Sequence, residues 1–198
     1  MYKMLDRFNV PRIPTLLLIK GSLTQKEIRD TFDTLGRPLV LKAPYTAFSK
    51  YVEKAEDEDS LKKICRRYFR ISDIVVAQKF LPTTFDWRIG ILDNEVLFAC
   101  KYHIPEGMWK HGTRRKEGRS YVWGGTEAIR RNTLPQRLRR IAVQASKPFG
   151  RGLFGIDIKE ISGEYITVEV NDNATIYADE EDGEDQDIYE KIISHLAQ

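Results

Sequence analysis

Three side chains with oxygen donors lie on two neighbouring segments in the second half of the sequence. Asp157 falls in LFGIDIKEI (153–161), while Glu169 and Asn171 fall in YITVEVNDN (165–173). Alternate side chains of an extended strand share one face, so Glu169 and Asn171 are expected to lie side by side. Carboxylate and amide oxygens are the ligands that hard divalent cations prefer. The spacing therefore indicates a candidate Mg²⁺ or Mn²⁺ site, provided that the two segments pair in the right register.

That register depends on the turn between the segments. We expect a three-residue turn at 162–164, because a two-residue turn would put the apolar faces of the two strands out of phase. Asp157 then lies opposite Glu169, and two facing carboxylates repel each other unless a cation lies between them. The alternative is a solvated hairpin face that contacts only water or Lys159. In the second strand, the expected apolar face consists of Ile166, Val168 and Val170.

A second charged group is expected on an earlier hairpin. The strand-like segments DWRIGIL and EVLFACKY are separated only by Asp93 and Asn94, which predicts a two-residue turn. Counting back from this turn in steps of two places Asp86, Arg88 and Lys101 on one face. This trio is either an anion-binding group or a simple cross-strand ion network.

The net charge of +3 is unevenly distributed. Basic residues cluster at 110–119 and 130–140, and acidic residues cluster at 179–187. These stretches are either solvated loops and helix faces or part of a basic channel for an anionic substrate, such as a nucleotide or an acidic peptide. Nucleic acid is the weaker alternative, because aromatic residues are not clearly interleaved with the basic ones.

Composition excludes several classes of protein. The chain has no apolar run of the roughly 20 residues that a membrane-spanning helix needs, so an integral membrane protein is not expected. The N-terminus lacks the apolar core of a secretory signal, which makes a cytoplasmic location the default. Cys65 and Cys100, the only cysteines, have no partner at ligand or nucleophile spacing, and we expect both to be reduced and buried.

The elements that must position these residues alternate between helix and strand. Hydrophobic periodicity, caps and breakers predict a mixed α and β chain. Thr24, followed three residues later by Glu27, predicts a capping box, and Gly36 predicts the end of that helix. The predicted helices cover about 1–9, 25–35, 57–70, 134–149 and 188–197, and the predicted strands before the hairpins cover 15–21, 38–45 and 74–81.

The segments GIDIKEI and ITVEVNDN resemble the end of the ATP-grasp domain of RimK-type glutamate ligases and glutathione synthetase-like relatives. In that family, an Asp and a downstream Glu-x-Asn hold the metal ions that bridge the phosphates of ATP. RPLVLKAP, VVAQKFLPTTFDWRIGIL and YHIPEGMWKH are similar to further segments of the same domain. The resemblance implies an α+β ATP-grasp fold, with antiparallel sheets in a smaller lobe (1–81) and a larger lobe (82–198) that grip a nucleotide.

The resemblance also implies roles for individual residues. They concern the nucleotide, its phosphates and the transferred phosphoryl group. Lys42 would bind phosphate, Lys79 and Phe80 would line the adenine and hinge, Asp86 would contact the ribose side, Arg88 and Lys101 would stabilise the transferred phosphate, and Lys110 and His111 would lie nearby. Ser49 would replace, with its side chain, the backbone contacts of a glycine-rich phosphate loop, because the segment PYTAFSKYVEK after Lys42 contains no glycine.

The implied activity is ATP-dependent ligation of a carboxylate to an amine, on an amino acid or a peptide, through an acylphosphate. ATP and Mg²⁺ or Mn²⁺ are the implied cofactors, and a partner chain or domain is expected to supply the family's N-terminal part. The chain carries Asn173 and Ala174 where the family has Asn-Pro, which indicates a changed acceptor end. The alternative is a non-catalytic nucleotide-binding or interaction module that retains the fold and the metal ligands.

Overall fold

The computed structural model describes residues 1–44, 51–114, 121–185 and 187–197. The chain forms two compact units, Ile13–Pro82 and Met1–Arg12 with Thr83–Gln198. The N-terminal segment, which the sequence-based division placed in the smaller lobe, thus packs with the larger unit. Its helix α1 (Tyr2–Arg7) contributes Leu5 to the core of that unit.

The unit Ile13–Pro82 is a four-stranded antiparallel sheet with two helices on one face. The strand order is β1-β4-β2-β3. The elements are β1 (Thr15–Ile19), α2 (Gln25–Leu35), β2 (Leu39–Lys42), β3 (Val52–Ala55), α3 (Glu58–Tyr68) and β4 (Ile74–Lys79). Alternate strand residues such as Leu39, Leu41 and Ala77 pack with both helices in one buried cluster. The remaining residues of each strand project from the opposite face of this sheet.

The first helix of this unit begins and ends as the sequence predicts. Thr24 Oγ1 accepts a hydrogen bond from the Glu27 amide at 3.2 Å, and the Glu27 carboxylate accepts one from the Thr24 amide at 2.8 Å. Gly36 follows the helix with a φ of 83°. The predicted capping box and C-terminal stop are therefore confirmed. Strand β3 was not predicted.

The larger unit is built on a five-stranded antiparallel sheet with the order β11-β10-β5-β6-β9. Its strands are β5 (Phe85–Leu92), β6 (Glu95–His103), β9 (Thr126–Ile129), β10 (Leu153–Ile161) and β11 (Glu164–Asn171), and β7 (Gly112–Arg114) pairs with β8 (Tyr121–Trp123) in a small ribbon. Helix α4 (Gln136–Ser146) packs with α1 over one face, while α5 (Ile188–Leu196) contributes Ile188 to a separate apolar cluster with Phe98.

Both cysteines are free and buried, as predicted. Burial raises the pKa of Cys65 to about 12 and also raises the pKa of Cys100, so both side chains are neutral thiols. Within the part of the chain that the structure describes, no helix has the length and apolar character that a bilayer crossing requires.

The β5–β6 hairpin has the predicted turn but not the predicted register at its far end. Leu92 pairs with Glu95 across the two turn residues, yet the register shifts by one between Gly90 and Ile91, where Leu97 is an extra residue on β6. Arg88 therefore pairs with Cys100 rather than with Ala99. Because a shift of one residue reverses the face of every later side chain, the predicted trio of Asp86, Arg88 and Lys101 is wrong.

The β10–β11 hairpin reaches the predicted pairing by a different route. Its turn has two residues, Ser162 and Gly163, both with positive φ, rather than the predicted three. A bulge at Val168 then adds one residue to β11, and Asp157 pairs with Glu169 as predicted. The predicted apolar face of β11 is correct only beyond the bulge: before it, Tyr165 and Thr167 are the buried residues.

Candidate functional site

One row of side chains crosses three strands on the sheet face opposite α4. Glu169 on β11 pairs with Asp157 on β10, which in turn pairs with Arg88 on β5. Directly paired residues project from the same face of an antiparallel sheet. Arg88 Nε lies 2.7 Å from Asp157 Oδ1, and Arg88 Nη2 lies 3.3 Å from Asp157 Oδ2. Asn171, two residues beyond Glu169, donates from Nδ2 to Asp157 Oδ2 at 3.3 Å.

The guanidinium of Arg88 is charged in this setting. Burial lowers the pKa of Arg88, but the carboxylate of Asp157 and other neighbouring groups raise it, and the net shift is upward. An ion pair that is largely removed from water is strengthened by the lower effective dielectric. Asp157 is thus held by a fixed positive charge.

A neighbouring row leaves room for the Arg88 side chain. Asn171 pairs with Gly155, and Gly155 pairs with Gly90. A Cβ atom at Gly155 would lie 2.7 Å from Arg88 Nη1, which is closer than real Cβ contacts allow. Arg88 can lie across the sheet to reach Asp157 because residue 155 has no side chain.

Gly155→Ala is expected to displace the Arg88 guanidinium with a loss of fold stability no larger than that of its ion pair with Asp157, because the clash itself involves the far end of a long side chain. The ATP-dependent turnover that the sequence resemblance implies should fall by roughly tenfold, as for the loss of one hydrogen bond to a charged group. Steady-state kinetics and thermal unfolding would measure the two effects. Gly152→Ala is the matched control, since its Cβ would meet only Phe154 at 3.6 Å. Equal kinetics for Gly155→Ala and wild type would contradict this account of Arg88.

The donor set fits a hard divalent cation. Asp157 and Glu169 supply carboxylate oxygens, and Asn171 supplies an amide oxygen, from one sheet face. No group of three or more His, Cys, Asp or Glu side chains suited to a metal occurs among the described residues, and the third oxygen donor in this row belongs to an amide. Few protein oxygens with further positions for water or phosphate are typical of Mg²⁺ sites. The charge of Glu169 also contributes, after burial, to raising the pKa of Tyr2.

A second charged group lies on the same face beside the row. Lys159 Nζ lies 2.7 Å from Asp86 Oδ1 and 2.7 Å from Thr83 Oγ1. Thr83 Oγ1 also donates to Asp86 Oδ1 at 2.7 Å. The predicted nucleotide contact Asp86 is therefore held by Lys159, a residue that the sequence analysis treated only as a surface neighbour.

Tyr102 occupies the position on this face that was predicted for Lys101. Tyr102 pairs with Asp86, and the guanidinium carbon of Arg88 lies 5.3 Å from the centre of its ring. The ring of His111 stacks on Tyr102 with centroids 4.6 Å apart, and His111 Nδ1 lies 3.0 Å from the carbonyl oxygen of His103. The predicted site residue His111 therefore stacks on the Tyr102 ring, which is itself a neighbour of Arg88.

Lys101 projects from the opposite face. It pairs with Trp87, a core residue, and its Nζ lies over the rings of Phe85 and Trp87 at 5.2 and 5.3 Å. Its carboxylate neighbour is Glu127, at 3.4 Å. The prediction that Lys101 acts with Arg88 is therefore corrected, and the physical reason is the extra residue in β6. Lys110 lies over the ring of Trp109 at 5.3 Å.

Part of the acidic stretch pairs with two arginines of the second basic stretch. Arg131 makes two hydrogen bonds to Asp187, at 2.8 and 2.7 Å, and Arg130 donates to Glu184 at 2.7 Å. Arg131 lowers the pKa of Asp187 well below its usual range. These arginines are neutralised within the chain, which argues against a role for them in a basic channel.

The remaining predicted nucleotide contacts belong to the unit Ile13–Pro82. Lys42 lies on β2 between Val52 and Val76, on the sheet face away from α2 and α3. Lys54 on the unpredicted strand β3 shares that face, and its Nζ lies 4.8 Å from the centre of the Phe80 ring. Ser49 lies outside the described residues.

Lys79 ends β4, next to Phe80, and pairs with Leu39. It belongs to the set of strand positions that faces the helices, although its own side chain is exposed. The structure thus groups Lys42 with Lys54 on one face, whereas Lys79 lies on the other. Lys54 was missed because the segment around it gave no clear strand pattern.

The chain has the fold of ATP-grasp ligases. A D-alanine–D-alanine ligase from Bacillus anthracis superposes with a TM-score of 0.77 at 18% identity, over 99% of this chain and 64% of its own. The same ligase has been solved in complex with ATP. The ATP-grasp ligase PsnB, solved with a minimal precursor, Mg and ADP, gives a TM-score of 0.66 at 19% identity, over 100% of this chain and 57% of its own.

The family model of the RimK-like ATP-grasp domain matches residues 2–196. This chain belongs to the RimK-like ATP-grasp family, as its sequence motifs predict. A curated relative, the coenzyme γ-F420-2:α-L-glutamate ligase of Methanococcus maripaludis, is 28% identical over 181 residues, which are 86% of this chain. The chain spans 59% of the length of that relative.

Proposed function

We propose that this chain is the ATP-binding part of a carboxylate–amine ligase. In this reaction ATP transfers its γ-phosphoryl group to a carboxylate and leaves as ADP, and an amine then displaces inorganic phosphate from the acylphosphate, with loss of a proton, to form an amide. The observation that carries the proposal is the cross-strand row of Glu169, Asp157 and Arg88 in a chain of the RimK-like ATP-grasp family. Such a row provides two carboxylates for a cation and one fixed guanidinium for phosphoryl oxygens.

Asp157, Glu169 and Asn171 would hold Mg²⁺ or Mn²⁺. Such an ion supplies positive charge for the phosphate oxygens of ATP. Arg88 would donate to the transferred phosphoryl group, where negative charge develops. Its planar guanidinium can make two parallel hydrogen bonds to phosphate oxygens. Gly155 leaves room for that side chain beside the carboxylates.

The nucleotide contacts are proposed on the grounds of the family and of local structure. Lys42 is a candidate for the phosphates, and Lys79 with Phe80 for the adenine. Lys54, which lies over Phe80, joins them. Asp86 remains the candidate for the ribose, with Lys159 fixing its carboxylate. Lys110 and His111 are candidates for contacts above the nucleotide.

L-Glutamate is the amine that we propose first. The curated relatives are named as α-L-glutamate ligases. The carboxylate substrate is then an amino acid, a peptide or a cofactor tail that ends in a carboxyl group. Since the chain spans 59% of its relative, a further domain or partner chain is proposed to complete the substrate site.

The test is a calorimetric titration with ATP, with and without Mg²⁺, followed by an ADP-release assay. We expect Mg²⁺ to tighten ATP binding by at least about tenfold, because the ion joins carboxylates and phosphates that otherwise repel. ADP release should then require both a carboxylate and L-glutamate. Failure to bind ATP would refute the proposal. Mg²⁺-dependent binding without ADP release for any acid and amine would favour the non-catalytic nucleotide-binding module instead.

A further inference from the structure

We propose that Tyr102 and Glu181 are positioning residues that keep Arg88 in place when Asp157 binds a divalent cation. The inference rests on the proposed function and extends it to residues outside the metal row. Tyr102 would act as a platform beneath the guanidinium, and Glu181 would fix that platform. Neither residue needs to touch ATP or the metal ion.

Both carboxylate oxygens of Glu181 accept hydrogen bonds. Only 2% of the residue is exposed, although it belongs to the most acidic stretch of the chain. Its carboxylate accepts hydrogen bonds from the Tyr102 hydroxyl and, at 2.7 Å, from the Tyr177 amide. A buried carboxylate is retained only where such donors compensate for lost water. The acidic stretch is therefore anchored to β6 at Tyr102.

The hydroxyl of Tyr102 is a donor in this bond. Burial raises the pKa of Tyr102 well above its usual value, and the bond to Glu181 raises it further. The ring is held on one face by His111, which stacks on it with an interplanar angle of 21°. With both its hydroxyl and one ring face fixed, Tyr102 has a defined orientation under Arg88.

Arg88 thus has two supports of different chemistry. One is the Asp157 carboxylate, 2.7 Å away, and the other is the Tyr102 ring, 5.3 Å from the guanidinium carbon. Once Asp157 shares its charge with a cation, its attraction for Arg88 weakens. The aromatic face retains its attraction for a cation, because that attraction comes from the ring quadrupole. The ring is therefore the support that persists in the loaded site.

The bulge at Leu97 is what makes this arrangement possible. If β6 continued past Val96 with no bulge, so that Leu97 paired with Gly90, Lys101 instead of Tyr102 would lie opposite Asp86, on the same sheet face as Arg88. With the bulge, Lys101 turns to the other face and Tyr102 takes its place. The bulge thus exchanges a repulsive neighbour of Arg88 for an attractive one.

The experiment is calorimetry of ATP binding, with and without Mg²⁺, for Tyr102→Phe, Glu181→Leu and the double variant. Each single change should weaken binding in Mg²⁺ by roughly tenfold, the factor for one hydrogen bond to a charged group. The double variant should lose no more than either single, because both break the same bond. Without Mg²⁺, all three should match wild type, since Asp157 then holds Arg88.

Two further variants separate positioning from general structure. Glu181→Gln should restore wild-type binding, because its amide oxygen can accept from Tyr177 while its NH₂ donates to the Tyr102 oxygen. Glu184→Leu removes an exposed carboxylate from the same stretch, one that pairs with Arg130, and should leave binding unchanged. Equal losses with and without Mg²⁺, additive losses, or no loss at all would overturn the inference. If wild type itself fails to bind ATP with Mg²⁺, the proposed function and the inference both fall.

Discussion

Asp157→Asn is expected to lower Mg²⁺-dependent ATP turnover by at least about three orders of magnitude, the scale set by losing several kcal/mol of charge stabilisation. The substitution preserves the shape of the side chain and can retain a hydrogen bond from Arg88. It removes the negative charge that a divalent cation requires. Rates of ADP release across a Mg²⁺ titration would measure the effect, and the advantage of Mg²⁺ in ATP binding should disappear together with turnover.

The same variant has a cost in stability. Arg88 loses its carboxylate partner but keeps the Tyr102 ring, so we expect unfolding free energy to fall by about 1–3 kcal/mol, less than for a fully buried pair. Glu164→Gln is the matched control, because Glu164 is an exposed carboxylate of the same hairpin that pairs with Arg137. That exposed pair should contribute little to stability, because water screens it, and nothing to turnover. Mg²⁺-dependent turnover that survives Asp157→Asn would remove Asp157 from the metal site.

Arg88→Met should lower turnover by roughly a hundredfold to a thousandfold, the usual effect of removing one preorganised donor to developing charge. Its effect on metal binding should be the opposite of that of Asp157→Asn. Without the guanidinium, Asp157 is an uncompensated and partly buried charge, so the variant is destabilised in the absence of metal. Mg²⁺ should therefore raise its melting temperature more than it raises that of wild type. Thermal unfolding at several Mg²⁺ concentrations would measure this difference.

Lys101→Met is the control for this experiment. Lys101 carries the same charge on the neighbouring strand but projects from the opposite sheet face, over Phe85 and Trp87. Its replacement should reduce turnover by less than about threefold, as expected for a residue that touches no reacting group. If Lys101→Met were as damaging as Arg88→Met, the corrected assignment of Lys101 would be wrong.

Local features of the fold could be predicted from the sequence. The capping box at Thr24 and the turn at Asp93 and Asn94 each depend on residues within a few positions of one another. The pairing of Asp157 with Glu169 was also predicted, but for an incorrect reason. One additional residue gives the same final offset whether it lies in the turn or in the strand. The hydrophobic pattern required one residue more than a two-residue turn supplies, and the bulge at Val168 provides that residue.

Features that depend on distant partners could not be predicted. Glu181 and Tyr102 are 79 positions apart, and nothing in an acidic stretch indicates which of its carboxylates is buried. The bulge at Leu97 had the largest consequence, because it reversed the face of every residue from Phe98 onward and so misplaced Lys101. A bulge leaves no reliable signal in a strand whose residues are apolar on both faces, as most of β6 is.

Both long hairpins of the larger unit combine a two-residue turn with one extra strand residue, Leu97 in β6 and Val168 in β11. Each extra residue shifts the alternation of side-chain faces by one position. The faces of the residues between the bulge and the turn therefore do not determine the faces of the residues beyond the bulge. Deletion of Leu97 would remove the bulge and leave Tyr102 opposite Asp86, whereas a regular pairing that kept Leu97 would place Lys101 there. At such positions the pairing register of a strand, rather than its composition, decides which side chains the sheet face presents.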